Sequence, residues 1–148
     1  MSSLATVWRP AVTEILRERL SAGDAVWLPV RGRSMRPLLG AGARILVTPA
    51  ARVRFGDLLA YECEGALICH RVIGRRGGAW LTRADHRGAG PEEVTPAQIV
   101  GVVAAFERRG VTVDLATLRQ RALALVAAAR SLAVAAGRAA RRRAWPRA

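Results

Sequence analysis

The first candidate reactive residue of this sequence is Ser34, which lies in a short turn between an apolar run and a proline. Residues 32–37 read GRSMRP. A serine hydroxyl attacks a carbonyl only when a base removes its proton, and the resulting oxyanion needs backbone N–H donors. A tight turn preceded by glycine exposes the hydroxyl and orients its amides. We therefore expect Ser34 to be a nucleophile, with the N–H groups of Ser34 and Met35 as the oxyanion hole. The alternative is a serine in an ordinary surface turn.

A base and an acid that suit this nucleophile follow later in the chain. His70 lies within the apolar, strand-like run 66–73, and its imidazole suits a general base near neutral pH. Asp85 lies in the next polar loop, and a carboxylate on the far ring nitrogen of His70 would fix the tautomer and stabilise the imidazolium. The alternatives are a core histidine bonded to a carbonyl and a solvated loop acid. Together Ser34, His70 and Asp85 predict a serine-type catalytic set.

The basic residues narrow the choice of base. All 24 of them are arginine, and the chain contains no lysine. Arginine stays protonated because its pKa lies above about 12, so it cannot act as a general base. The absence of lysine therefore excludes a lysine base, and His70 remains the candidate base.

The elements that must position these residues form a β-rich region with a helix at each end. Apolar residues at helical spacing predict a helix over residues 6–22, which Gly23 ends. Residues 83–96 have the composition of a loop. Short apolar runs between turn residues predict strands over residues 25–30, 44–48, 58–63, 66–73, 79–82, 99–107 and 111–115.

The length and composition fit one globular domain rather than a disordered chain. The chain has 148 residues, of which 51% are hydrophobic and 24% charged. We divide it into an N-terminal helix (1–24), a peptidase-like β domain (25–115) and a C-terminal basic helix with its tail (116–148). Arginines interrupt both apolar candidate segments, so we expect no signal peptide and no membrane-spanning helix. The predicted location is the cytoplasm or the surface of the cytoplasmic membrane.

The positive charge is concentrated near the C-terminus. The net charge is +13, and residues 107–148 carry ten arginines against two acidic residues. A nucleic-acid-binding protein more often spreads a basic face over its folded domain, so nucleic acid is a disfavoured partner. The C-terminal helix carries a stripe at heptad spacing, marked by Leu118, Leu125 and Leu132. We expect this stripe to need a partner surface, which is the protein's own β domain, another helix or an anionic membrane surface.

Five short motifs, taken in order, resemble the type I signal peptidase superfamily, which also includes the LexA-type repressor proteases. Residues 30–37 (VRGRSMRP) are similar to its G-x-S-M-x-P nucleophile motif, and residues 55–59 (FGDLL) to its Gly-Asp strand. Residues 69–73 (CHRVI) look like the H-R-V-I motif of the archaeal and endoplasmic-reticulum branch. Residues 81–85 (LTRAD) resemble L-T-K-G-D, and residues 99–103 (IVGVV) resemble the closing strand.

This resemblance implies a signal-peptidase-like β fold and a serine endopeptidase that cleaves signal- or leader-type peptides. In the histidine-type branch, Ser34 is the nucleophile, His70 the base and Asp85 the acid. Glu92 or Glu93 stands nearest to the second acidic residue of that branch. The resemblance implies no metal or cofactor.

The implied substrate is a peptide or preprotein that adds along a sheet edge, with small residues before the scissile bond. Two alternatives stay open. One is a dedicated maturation protease for a single secreted or modified peptide. The other is a catalytically inactive peptide-binding module of the same fold.

Overall fold

The computed structural model describes residues 10–86 and 88–144, and it is mainly β, as the sequence predicts. Helix α1 spans Pro10–Ser21 and helix α2 spans Leu118–Ala144. Residues 6–9 of the predicted N-terminal helix lie outside the described residues. Within those residues, the strands are β1 (Val26–Pro29), β2 (Arg44–Thr48), β3 (Leu58–Cys63), β4 (Ala66–Arg76), β5 (Ala79–Arg83), β6 (Glu92–Val94), β7 (Ile99–Arg108) and β8 (Val111–Asp114).

Two tight turns fix the register of the hairpins. At Glu64-Gly65 the φ angles are 51° and 75°, and at Arg109-Gly110 they are 52° and 77°. Two consecutive positive φ angles are typical of the two-residue turns that match the twist of antiparallel strands. The first turn joins β3 to β4 and the second joins β7 to β8. The predicted hairpins at both positions are confirmed.

The strands form one antiparallel sheet in the order β1-β2-β7-β3-β4-β5-β6, with β8 paired to β7. The sheet curls, so that β1 and β4 border one cavity although they are far apart in this order. The larger core cluster includes Leu58 and Leu67 on one face of β3 and β4, together with Leu20 of α1. The opposite face carries a smaller cluster around Tyr61 and Val72.

Strand β6 is an element that the sequence does not predict. It lies within the segment expected to be a loop, and it pairs with β5 through Trp80 and Val94. Three residues with two glutamates are too short and too polar to show an alternating pattern. The pairing partner, rather than local sequence, determines this strand.

Helix α2 contacts its own domain, but not through the predicted leucine stripe. The docked face carries small and polar residues: Arg121 forms an ion pair with Asp57, and Ser131 accepts a hydrogen bond from Arg83 at 2.9 Å. The stripe residues point outward, and Leu118, Leu125 and Leu132 are 90%, 45% and 43% exposed. The helix therefore docks on the β domain and still presents an apolar face to its surroundings.

The composition of α2 also bears on the expectation of no spanning helix. Among the described residues, Leu118–Arg143 is long and apolar enough to cross a membrane, with a mean hydropathy of 1.4 and 11% of its most apolar window buried. The arginines in this segment therefore do not exclude a membrane-spanning helix on the grounds of length and composition. Helices of soluble proteins share these properties, so the finding does not assign a membrane location.

Candidate active site

The turn that carries Ser34 is held by backbone hydrogen bonds on either side. The N–H of Val30 donates to the carbonyl of Ala43 at 2.8 Å, and the N–H of His86 donates to the carbonyl of Ser34 at 2.8 Å. Within the described residues, the N–H groups of Ser34 and Met35 have no backbone acceptor. Both amides are therefore available to an oxyanion, which is the role that the sequence predicts for them.

A small apolar cavity of about 30 Å³ lies beside Ser34. The Ser34 turn and the end of β1 line one side of it, and residues 67–69 of β4 line the other. Within the described residues, β1 pairs with β2 alone, and residues 66–70 of β4 pair with β3 alone. The cavity thus lies between two open strand edges, and its volume suits a group about the size of a water molecule or a methyl.

His70 is buried, with only 6% of the residue exposed. Its Nδ1 lies 2.9 Å from the hydroxyl of Tyr61, and that hydroxyl donates to Oε2 of Glu92 at 2.6 Å. Because Tyr61 has a single O–H proton and gives it to the carboxylate, its oxygen can only accept from His70. Nδ1 of His70 therefore carries a proton, and the neutral ring has an unprotonated Nε2.

Two pKa shifts agree with this assignment of protons. Burial and the Glu92 hydrogen bond raise the pKa of Tyr61, so its hydroxyl stays protonated at neutral pH. The His70 ring, whose Nδ1 lies 3.6 Å from Oε2, and the Tyr61 hydroxyl lower the pKa of Glu92 despite its partial burial. Ionised Glu92 can only accept hydrogen bonds. The direction of donation from His70 through Tyr61 to Glu92 is therefore fixed.

The other ring nitrogen of His70 is in the state that a general base requires. Nε2 is buried and has no hydrogen-bond partner among the described residues. Leaving a buried polar atom unbonded costs roughly 1–3 kcal/mol. A general base needs a free lone pair within reach of the proton that it removes. A role as general base would explain why the fold leaves this buried nitrogen without a hydrogen bond.

Asp85 binds Arg71 rather than His70 within the described part of the chain, which differs from its predicted role. Nε and Nη2 of Arg71 donate to the two carboxylate oxygens at 2.8 and 2.7 Å. His70 and Arg71 are adjacent in β4, and adjacent side chains of a strand point to opposite faces. The side chain of Arg71 is only 4% exposed. Asp85 therefore neutralises a buried arginine, and the acid linked to His70 is Glu92.

Ser34 lies beside the stretch of β4 that precedes His70, and no hydrogen bond joins Ser34 to His70 in the described residues. Ser34 lines the cavity whose far wall includes Ile68 and Cys69, the two residues that precede His70. Cys69 packs with Met35 in the larger core cluster, whereas the His70 ring contacts Tyr61 of the smaller cluster. Because adjacent side chains of a strand point to opposite faces, the described residues do not bring Ser34 and the His70 ring into contact.

Comparison with known proteins places this site in a family. A family model described as Peptidase S24-like matches residues 6–104, about two thirds of the chain. The chain belongs to the Peptidase S24-like family. The predicted superfamily, of LexA-type and signal-peptidase-type serine peptidases, and the predicted fold class are confirmed. No curated protein matches the chain. The S24-like region contains the Ser34 turn, β4 and Asp85, and it ends before α2.

The sequence assigns no role to Tyr61 in this S24-like site, although a signal for it exists. The predicted hairpin pairs Tyr61 with Ile68, which places Tyr61 diagonal to His70 on the same face. The two candidate second acids are distinguished only by the structure. Glu92 contacts Tyr61, whereas Glu93 forms an exposed ion pair with Arg76.

Cys69 is a second potential nucleophile beside the S24-like serine. It lines the same cavity as Ser34. Burial raises the pKa of its thiol to about 12, and the thiolate is the nucleophilic form of cysteine. Cys69 therefore stays protonated at neutral pH and serves as cavity wall. Among the described residues, no cluster of three or more His, Cys, Asp or Glu side chains could hold a metal ion.

Proposed function

We propose that this protein is a serine endopeptidase of the histidine-type branch that cleaves signal- or leader-type peptides. Ser34 is the nucleophile and His70 the general base. The observation that carries this proposal is that Nε2 of His70 is buried and has no partner among the described residues. Membership of the Peptidase S24-like family supports a peptidase, and the absence of lysine supports a histidine base.

The proposed reaction follows from these atoms. Oγ of Ser34 attacks the scissile carbonyl carbon while Nε2 of His70 takes the hydroxyl proton. The N–H groups of Ser34 and Met35 stabilise the oxyanion. The imidazolium then gives its proton to the leaving amine, and water hydrolyses the acyl-enzyme by the same route. Glu92, acting through the Tyr61 hydroxyl, stabilises the imidazolium that forms in each step.

The cavity beside Ser34 supports a preference for small residues before the scissile bond. Its volume of about 30 Å³ admits an alanine or glycine and excludes a leucine. The open edges of β1 and of residues 66–70 in β4 offer backbone N–H and C=O groups to an extended chain. Peptides that add to a sheet edge gain affinity from such backbone hydrogen bonds and specificity from alternate side-chain pockets.

A peptide-binding module without activity is the second candidate. The observation that favours it is the lack of a hydrogen bond between Ser34 and His70 in the described residues. The open edges and the cavity would bind a peptide in either case. Only hydrolysis distinguishes the two candidates.

The decisive experiment incubates the purified full chain with a mixture of peptides and identifies the cleaved bonds by mass spectrometry. Ser34→Ala is the matched negative control. We expect cleavage after small residues by the wild-type protein and none by Ser34→Ala. Binding without cleavage by the wild-type protein would establish the inactive module instead.

We also propose that the outward face of α2 lies on an anionic membrane surface. The helix carries seven arginines and no acidic residue, so a second copy of α2 would be repelled. Its exposed leucines supply the apolar contact that anionic lipids would complement. We expect the protein to sediment with anionic vesicles and Leu125→Ser/Leu132→Ser to weaken this binding. Equal binding to neutral vesicles would contradict the charge argument.

A further inference from the structure

A second, much larger groove runs between α2 and the β domain. Its volume is about 1190 Å³, above the roughly 300–1,000 Å³ of most small-molecule pockets. Its lining includes Arg36 and Pro37 of the Ser34 turn, and it shares no lining residue with the small cavity. Asp85 and His86, which follow β5, also border it. The groove is therefore a separate surface that reaches the catalytic turn.

The charge of this groove is strongly unbalanced. Two aspartates line it, and each is already paired, Asp57 with Arg121 and Asp85 with Arg71. Six further arginines in the lining have no carboxylate partner among the described residues: Arg36, Arg52, Arg54, Arg83, Arg130 and Arg138. Apolar side chains such as Leu58 lie between them. An anionic occupant with apolar segments matches this lining.

The cost of the imbalance is clearest at Arg83. Its side chain is buried, 5% of the residue being exposed, and it donates only to neutral groups: the carbonyl of Ala89 at 2.8 Å and the hydroxyl of Ser131 at 2.9 Å. Arg138 donates to the carbonyl of Gly88 at 2.9 Å and also points to that of Ala89 at 3.4 Å. Burial, followed by the charge of Arg138, lowers the pKa of Arg83. Two guanidinium groups share one carbonyl, where a carboxylate would offset their charge.

We infer that this arginine-lined groove binds an acidic segment of the substrate peptide, on the carboxyl side of the scissile bond. The inference rests on the proposed peptidase function. If the small cavity holds the residue before the scissile bond, the peptide that leaves the Ser34 turn on its other side enters the groove. The substrate class is thus a peptide with a small residue at the cleavage position and Asp or Glu residues after it.

The test measures binding with the full-length Ser34→Ala protein, so that it does not depend on cleavage. The probe is a fluorescent peptide with alanine at the cleavage position and four glutamates after it. A second peptide carries glutamines instead, and a third carries the four glutamates before the alanine. We expect the first peptide to bind at least about tenfold more tightly than the other two at low salt, with the preference falling as salt rises.

Two charge-matched double variants locate the binding site. Arg52→Gln/Arg130→Gln removes two unpaired arginines of the groove, and we expect it to abolish the preference for the acidic peptide. Arg75→Gln/Arg109→Gln removes two exposed arginines elsewhere, and we expect it to preserve the preference. An equal loss in both variants, or no preference in the parent protein, would overturn the inference.

A lipid headgroup is the competing occupant of the groove, and a separate part of the experiment tests it. Anionic vesicles are added to the bound acidic peptide, and vesicle binding is measured for both double variants. If Arg52→Gln/Arg130→Gln abolishes vesicle binding but leaves peptide binding intact, the groove serves lipid and the inference is wrong. Failure of the proposed function is a different result, because it appears as a lack of cleavage by the wild-type protein while the acidic peptide still binds.

Discussion

Strand β4 presents two adjacent basic side chains to opposite faces of the sheet, and each is linked to a different acid. His70 reaches Glu92 through Tyr61, in a chain of hydrogen bonds that leaves one ring nitrogen free. Arg71 takes both oxygens of Asp85, and its side chain is almost fully enclosed. Nε2 of His70 has no partner among the described residues, whereas Arg71 is paired with Asp85. The candidate base and a fully paired arginine thus occupy opposite faces of one strand.

The largest expected effect comes from removing the reactive atoms themselves. Ser34→Ala and His70→Ala should each lower turnover at least about a thousandfold, and the double variant should be little worse, because the pair acts as a unit. Rates of hydrolysis and thermal unfolding are measured together. Ser21→Ala, at the exposed end of α1, is the control and should retain full activity. Substantial turnover by either single variant would remove His70 and Ser34 from the mechanism.

The Arg71 side should respond in stability rather than in chemistry. Asp85→Asn leaves a buried guanidinium beside a neutral amide, and breaking such a pair typically costs about 3–5 kcal/mol. We expect a large fall in the free energy of unfolding by denaturant. The turnover of the remaining folded protein should change far less. A fall of orders of magnitude in turnover with unchanged stability would restore Asp85 as the partner of His70.

The contrast between these two acids shows what the sequence could and could not predict. The two hairpins follow from local turn chemistry. The Ser34 turn and the superfamily follow from short motifs and their order along the chain. Which acid serves His70 does not, because Asp85 and Glu92 lie in one segment that reads as a loop. Strand alternation separates His70 from Arg71, and the pairing of β6 with β5 brings Glu92 to Tyr61. The alternation follows from spacing along the chain, but the pairing that brings Glu92 to Tyr61 depends on tertiary register.

Tyr61→Phe tests the link between His70 and Glu92. It removes the hydroxyl that holds Nδ1, so we expect turnover to fall about 10- to 100-fold, with a smaller change in KM. Glu62→Gln, the next residue of the same strand, is the matched control and should leave turnover unchanged. If Tyr61→Phe lowers stability alone and leaves the turnover of the folded protein intact, Tyr61 is a packing residue.

The smallest effect should appear in the pH dependence of stability. The pKa of Glu92 is lowered in the folded state, so its contribution is fully present above the ordinary glutamate value of about 4.3 and is lost as the pH falls through the folded value. Because its side chain is 48% exposed, we expect Glu92→Gln to lose less than about 1 kcal/mol at neutral pH.

Thermal unfolding of wild-type protein and Glu92→Gln between about pH 2.5 and 7 measures this term. The two curves should converge as the pH falls, since protonated glutamate and glutamine are alike in charge. A constant separation at every pH would show that the ionised carboxylate contributes nothing to the link with Tyr61.

The wall that α2 adds to the large groove lies outside the part of the chain that belongs to the Peptidase S24-like family, residues 6–104. The helix is tied to the β domain at several points, by the ion pair of Arg121 with Asp57, the hydrogen bond from Arg83 to Ser131 and those from Arg138 to two carbonyls. Ser34 and His70 have no part in that attachment. If the groove binds substrate as proposed, exchange of this one helix would change which peptides are bound while the residues proposed to cleave them stay as they are.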